Sequence, residues 1–293
     1  MNKVLYKYRA INDNTLNILK ENKIWYANVA SLNDPNEGLL REITSTQASD
    51  FINKTKENQM SGFVFSMFMA LKSNTLFYGL NNTGIKKLQK KIASKKGIER
   101  KYKYINRFLQ EKVGRGFTNP EGFLNSIHSS IEDAGILSLS EDPLNNLMWS
   151  HYANNHQGIA IGINNYKSDD YKMVNYNLTS DIPKIDLTEY FSIFKIYKEK
   201  NTYEIAFNDP SLQEILLTKT AEWQYEKEWR GLKGKYGLFP LNGNVTEVVF
   251  GLNCIKSNRD KIRKIIEENS KSDILFKEVY QNPSSYDFLL RNC

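Results

Sequence analysis

A chain of 293 residues, 40% hydrophobic and 25% charged, is long enough to bury a sizeable core, and its two cysteines (Cys254, Cys293) and three histidines (His128, His151, His156) exclude a disulfide framework and a cysteine-rich zinc site. No run approaches the roughly 18 apolar residues of a membrane span, and the opening MNKVLYKYRAIND has no apolar stretch like a signal peptide, so the expectation is a cytoplasmic protein with no membrane partner. The net charge of +7 is concentrated: from Lys86 to Arg115 twelve Lys or Arg face two Glu, and the rest of the chain is nearly neutral.

In chain order, LYKYR (5–9) alternates and is rich in aromatics, which predicts a short strand. NDNTLNILKEN (12–22) sets Leu16, Ile18 and Leu19 behind Asn or Asp caps and predicts a helix; KIWYANV (23–29) predicts a second strand, followed by the turn-rich loop SLNDPNEG (31–38). FVFSMFMAL (63–71) is apolar enough for a buried strand, and at this length a helix segment fits as well. The basic stretch 84–113 places Ile85, Leu88, Ile92, then Tyr104, Ile105, Phe108 and Leu109 at helical spacing, a helical pair broken near Gly97. GILSLSEDP (135–143) reads as a strand into a loop, LNNLMWSHYANNH (144–156) as a helix and GIAIGI (158–163) as a strand. Signals between 165 and 210 are weak. WQYEKEWRGL (223–232) and VTEVVFGL (245–252) read as strands, SNRDKIRKIIEEN (257–269) as a capped helix, and DILFKEVYQ (273–281) as a closing strand. Strands that do not alternate regularly with long helices indicate an α+β domain spanning 1–293, with 81–130 as a basic helical insertion.

If 223–232 is a strand, Glu226, Glu228 and Arg230 share one face and Tyr225, Lys227 and Trp229 the other, with same-face neighbours about 7 Å apart. They read either as solvated charges beside an aromatic core face or as a carboxylate pair able to engage a sugar hydroxyl and stabilise oxocarbenium charge. On a continuous helix, Trp149, Tyr152 and His156 fall at i, i+3 and i+7; His151 stands apart as a candidate general base or orienting donor, or as a hydrogen-bonded structural residue. The paired histidines of a metalloprotease, a Gly-x-Ser-x-Gly elbow and a phosphate-cradling glycine loop are all missing, which removes hydride chemistry and nucleoside triphosphate hydrolysis. Lys and Arg interleaved with Tyr102, Tyr104 and Phe108 suit a nucleic-acid backbone, or else a solvated lysine-rich face in an AT-rich genome.

Five stretches in order, LYKYR, IWYANVASLNDPNEG, LSLSEDPLNNLMWSHYANNHQGIAIGI, WQYEKEWR and VVFGL, resemble the bacterial family called domain of unknown function 2971, from about Leu5 to about Val279, with 81–130 and 165–215 poorly covered. The layout more distantly resembles the ADP-ribosyltransferases. That resemblance implies a split, mostly antiparallel sheet and NAD as a consumed substrate. It matches Arg9 to the basic residue that holds the NAD phosphates or ribose, and Tyr26 or Ser31 to the residue beside nicotinamide. Glu228 matches the carboxylate on the ribose 2′-hydroxyl, and Glu226 the preceding acid that engages an acceptor. Asn33, Asp34 and Tyr152 join the expected NAD-binding set and His151 the catalytic one; the Ser-Thr-Ser signature of arginine-modifying members is absent. The expectation is therefore an ADP-ribosyltransferase-like toxin or phage-defence effector acting on a macromolecule, with RNA, DNA or a ribosome-associated target held through Lys86–Arg115 and an antitoxin or immunity protein as partner. The competing expectations are a nucleic-acid-binding or nucleic-acid-processing protein that gathers His151, Asp34 and Glu228 around a divalent ion, and a non-catalytic interaction module.

Overall fold

In the computed structural model, which describes residues 3–177, 181–190, 207–269 and 273–293, LYKYR becomes β1 (Leu5–Arg9). In chain order follow α1 (Asp13–Glu21), β2 (Lys23–Tyr26), α2 (Ser45–Ser73), α3 (Asn82–Ala93), α4 (Ile98–Val113), α5 (Pro120–Asp133), β3 (Gly135–Ser140), α6 (Asn146–Tyr152) and β4 (Ile159–Asn164). Then come β5 (Lys172–Met173), β6 (Asn175–Asn177), α7 (Pro210–Leu217), β7 (Thr218–Thr220), β8 (Glu228–Lys233), β9 (Gly237–Pro240), β10 (Asn244–Phe250), α8 (Lys256–Asn269), β11 (Leu275–Gln281) and β12 (Phe288–Asn292). Within the weakly patterned 165–210, residues 178–180 and 191–206 lie outside the described residues. The chain divides into two compact units, residues 1–39 with 131–183 and 213–293, and residues 40–130 with 184–212. No helix among the described residues is long and apolar enough to cross a membrane.

The first unit is built on an eight-stranded sheet in the order β12-β11-β10-β4-β1-β3-β8-β5. Its pairings are antiparallel except β10 with β11, so the fold is mixed α/β around a large, mostly antiparallel sheet. The central strands are buried on both faces, and successive side chains alternate between two cores as the pleat requires. Leu5, Leu137, Leu139, Ile159, Ile161, Ile163, Val248 and Phe250 meet Leu16 and Ile18 of α1 and Ile262, Ile265 and Ile266 of α8 in one core. Tyr6, Tyr8, Ala160 and Val249 belong to a separate core with Met148 and Trp149 of α6.

The sheet splits beside its middle. β1 pairs with β4 over five residues but with β3 only at Tyr6↔Ser140. Farther along β3, Ile136 exchanges both backbone hydrogen bonds, each 2.8 Å, with Ala27 just after β2. Between these two points Lys7 Nζ donates to the Ser138 carbonyl at 2.8 Å, a side chain standing where a ladder bond would be. On the other flank Gly158 lets β4 come close: a Cβ there would sit 2.2 Å from the Arg9 carbonyl oxygen.

In the second unit FVFSMFMAL takes the helical alternative and not the strand. It lies in α2, which starts on a Thr44/Gln47 capping box and ends on Asn74 in the left-handed conformation. The buried positions Phe51, Thr55, Gln59, Phe63, Met67 and Ala70 recur every three to four residues, so the apolar run continues a stripe that begins a dozen residues earlier. The helical pair comes out as read, with Gly97 at φ +78 between α3 and α4 and with Ile85, Leu88, Ile92, Ile105 and Leu109 packed on Phe63 and Met67. The basic stretch 81–130 lies within this larger unit, which begins at Leu40.

Candidate functional site

The stretch expected to be one strand is a turn and a strand. Residues Ala221–Glu226 form a 3-10 turn, Lys227 takes a left-handed conformation (φ +45), and β8 starts at Glu228. Strand alternation therefore places Glu228 and Arg230 on one face, but it does not place Glu226 there. Glu226 arrives from the turn, whose backbone is tied down by Ser140 Oγ donating to the Glu226 carbonyl at 2.7 Å and Asn145 Nδ2 donating to the Tyr225 carbonyl at 2.7 Å.

Both carboxylates end on Lys219. Its Nζ lies 2.6 Å from Glu226, 3.1 Å from Glu228 and 3.3 Å from Glu37. Arg230 completes the cluster: Nε donates to Glu228 Oε1 at 2.8 Å, Nη2 to Glu228 Oε2 at 3.1 Å and to Glu37, and Nη1 to the Leu216 carbonyl at 2.7 Å. All five side chains are buried, Arg230 to 1% exposure. Burial alone would raise the Glu228 carboxyl, but Arg230 and Lys219 outweigh it and hold it down at about 2, so it is ionised. Burial works against charge on Lys219 too, and Glu228, Glu37 and Glu226 reverse it, keeping the ammonium protonated. At Glu37 burial prevails over its two cationic partners, and its carboxyl is raised.

The cluster forms one wall of a cavity of about 230 Å³ that opens where β1 and β3 part. Tyr152 of α6 donates from its hydroxyl to Glu226 Oε1 at 2.6 Å and accepts from Asn33 Nδ2 at 2.8 Å, which brings the loop after β2 to the same wall. Lys7 and Arg9, both half-buried, line the same cavity, as do Ser31, Ser138 and Ser140. Neither cation has a carboxylate partner among the described residues. Lys7 has only its bond to the Ser138 carbonyl, and Arg9 Nε is buried with no hydrogen-bond partner. Burial, with the neighbouring Arg9 charge, lowers the Lys7 ammonium to about 8, and burial lowers Arg9. The lining carries three carboxylates, Glu37, Glu226 and Glu228, and three cations, Lys7, Arg9 and Lys219, and Arg230, bonded to Glu37 and Glu228, adds a fourth cation outside the lining. Such a site suits an anion, with buried carboxylates beside it.

The cavity thus gathers Glu228, Glu226, Arg9, Ser31, Asn33 and Tyr152. Three other expected site residues lie outside it. Tyr26 is fully buried in the core, its ring edge-on to Phe239 at 5.5 Å. Asp34 is buried in its own loop, accepting from the Asn36 amide at 2.9 Å and from Thr220 Oγ1 at 3.4 Å, and so shapes the turn that delivers Glu37. His151 is exposed on α6. The helix ends at Tyr152, so His156 is not at i+7 of a continuous helix; it sits in the following turn at φ +67, stacked on Trp149 at 6.3 Å. Among the described residues no three His, Cys, Asp or Glu side chains are grouped to hold a metal ion, so His151, Asp34 and Glu228 do not gather as the competing reading expected. Sequence reasoning missed Lys7, Glu37 and Lys219; it set Arg230 on the face of the two glutamates without giving it a role. Lys7 was accessible, two positions before Arg9 on an alternating strand, and Glu37 lay in the loop already marked. Lys219 lies in a stretch with no pattern.

Residues 148–231 match the family described as protein of unknown function (DUF2971). The matched span contains Tyr152, Lys219, Glu226, Glu228 and Arg230, and Lys7, Arg9, Asn33 and Glu37 fall before it. Among curated proteins and among solved structures nothing matches the chain.

Proposed function

We propose that this protein binds NAD in the cavity between β1 and β3 and transfers its ADP-ribosyl group to an acceptor. One observation supports the reading: two half-buried cations with no carboxylate at hydrogen-bonding distance, Lys7 and Arg9, line one small cavity together with an ionised Glu228 and its neighbour Glu226. Phosphate would supply the counter-charge that the protein withholds from Lys7 and Arg9. Glu228, held ionised and oriented by Arg230 and Lys219, accepts a hydrogen bond from a ribose hydroxyl. It also opposes the positive charge that grows at the ribose C1′ as its bond to the nicotinamide nitrogen breaks. That electron pair leaves with nicotinamide, and an acceptor nucleophile then bonds to C1′ and gives up its proton. Glu226, bonded to Tyr152 and Lys219, stands at the acceptor side. At about 230 Å³ the cavity is smaller than the roughly 300–1,000 Å³ of typical ligand sites, so it takes the part of the dinucleotide around the scissile bond and leaves the remainder outside.

Nicotinamide released from NAD, followed by chromatography with and without cell extract as a source of acceptor, tests this. The expected result is release by the wild type that falls by about 100-fold or more in Arg9→Met. Absence of release in both conditions, with no stabilisation of the protein by NAD, would sink the reading.

A further inference from the structure

The outward faces of α3 and α4 carry charge that the protein does not neutralise. Ile85, Leu88 and Ile92 fill the buried side of α3, and Lys86, Lys87, Lys90 and Lys91 occupy the opposite arc, all exposed. On α4, Arg100 and Arg107 lie a heptad apart, opposite buried Tyr102, Ile105 and Leu109. None of the six has a carboxylate partner among the described residues; the acids nearby serve Lys56 and Lys103 instead.

This arrangement costs local stability. Lys86 with Lys90 and Lys87 with Lys91 are like charges four apart, each unfavourable by about 0.2–0.5 kcal/mol. Arg100 stands in the first turn of α4, where the helix dipole disfavours a cation. Genome-wide drift toward lysine does not account for it, because α8 is also lysine-rich yet interleaves five cations with three acids and pairs Arg259 with Glu278.

We infer that the outward face of α3 and α4 binds the phosphate backbone of a nucleic acid. An acidic protein partner fits less well, since protein interfaces are depleted in lysine and anchored by apolar side chains, and this arc presents lysines with no large apolar group among them. The rings that suggested base stacking do not face outward: Tyr102 is buried, and Tyr104 and Phe108 pack on the unit's core. Recognition is therefore electrostatic and indifferent to base sequence. It does not depend on the NAD reading, and its assay contains no NAD.

Fluorescence anisotropy on the full chain, with a labelled mixed-sequence single-stranded RNA and a duplex DNA of the same sequence, tests it across a salt series. Binding should weaken steeply with salt for at least one of the two probes, and that probe identifies the strand form. Replacing Lys86, Lys87, Lys90 and Lys91 together by Gln should lower affinity at least tenfold and reduce the duplex salt slope by up to about 3.6. Replacing Lys256, Lys261 and Lys264 of α8 by Gln should change neither. Arg100→Gln with Arg107→Gln should repeat the loss, so a folding defect in one variant would not hide the result. Binding unchanged by either α3 or α4 replacement overturns the inference, as does displacement of the probe by polyglutamate as effectively, charge for charge, as by unlabelled nucleic acid.

Discussion

Lys219 and Arg230, both buried, and Lys7 and Arg9, both half-buried in the cavity lining, are cations solved in opposite ways. The first two are surrounded by Glu37, Glu226 and Glu228 at hydrogen-bonding distance, whereas the second two have no carboxylate at that distance. A compensated cluster can be explained by architecture alone, since it fixes the turn before β8 against β7 and the loop after β2. Half-buried charge with no carboxylate at hydrogen-bonding distance is not explained that way, because its desolvation costs stability that an arriving anion offsets. The difference separates what holds this site together from what the site is for.

Breaking the compensated wall should have the largest effect. Arg230→Ala leaves Glu37 and Glu228 buried without their main partner, and urea denaturation should show a loss of about 3–5 kcal/mol. A loss below about 1 kcal/mol would mean that water reaches the cluster.

Next in size is a pH signature of opposite sign on the two walls. Glu228 has a folded value near 2, below its ordinary value, so its contribution is complete above pH about 4.5 and disappears as pH falls toward 2. Lys7 is lowered to about 8, so its penalty is complete below pH 8 and is relieved as pH rises from 8 toward the ordinary lysine value near 10.5. Denaturation curves should therefore show stability lost on the acid limb and regained on the alkaline limb, and Lys7→Met should flatten only the alkaline limb. Nucleotide affinity should fall as pH rises through 8. An alkaline limb identical in Lys7→Met and wild type would remove Lys7 from the account.

The smallest effect on stability is expected on the uncompensated wall. Arg9→Met keeps the stem and discards a charge with no partner, so the free energy of unfolding should stay within about 1 kcal/mol of wild type or rise. A loss as large as that of Arg230→Ala would show that Arg9 is a structural cation after all.

Much of the architecture was legible because it rests on local pattern. Strand patterns gave β1, β2, β3 and β4, and the 3.6-residue stripe gave α1, α3, α4 and α8, although α5, α7, β5, β6, β7, β9 and β12 were missed. FVFSMFMAL stayed open between strand and helix because its eight apolar residues carry no period of their own, and only the stripe from Phe51 shows the helix. The site was half legible. Glu226 and Glu228 were singled out on a geometric premise that Lys227 overturns, yet the two converge because Lys219 draws both in. Tyr26 looked like a ligand contact and packs in the core, since an aromatic on a short strand gives no sign of which side is covered. Lys219 and Glu37 become informative only once a turn, a loop and a strand meet, and no spacing in the chain records that meeting.

The most direct test of the central claim is the NAD-dependent shift in thermal unfolding of wild type and Arg9→Met, measured side by side. The account expects NAD at saturating concentration to raise the wild-type midpoint by several degrees and to leave Arg9→Met unmoved, with the two proteins melting together in its absence. Equal shifts in both, or none in the wild type, would contradict it.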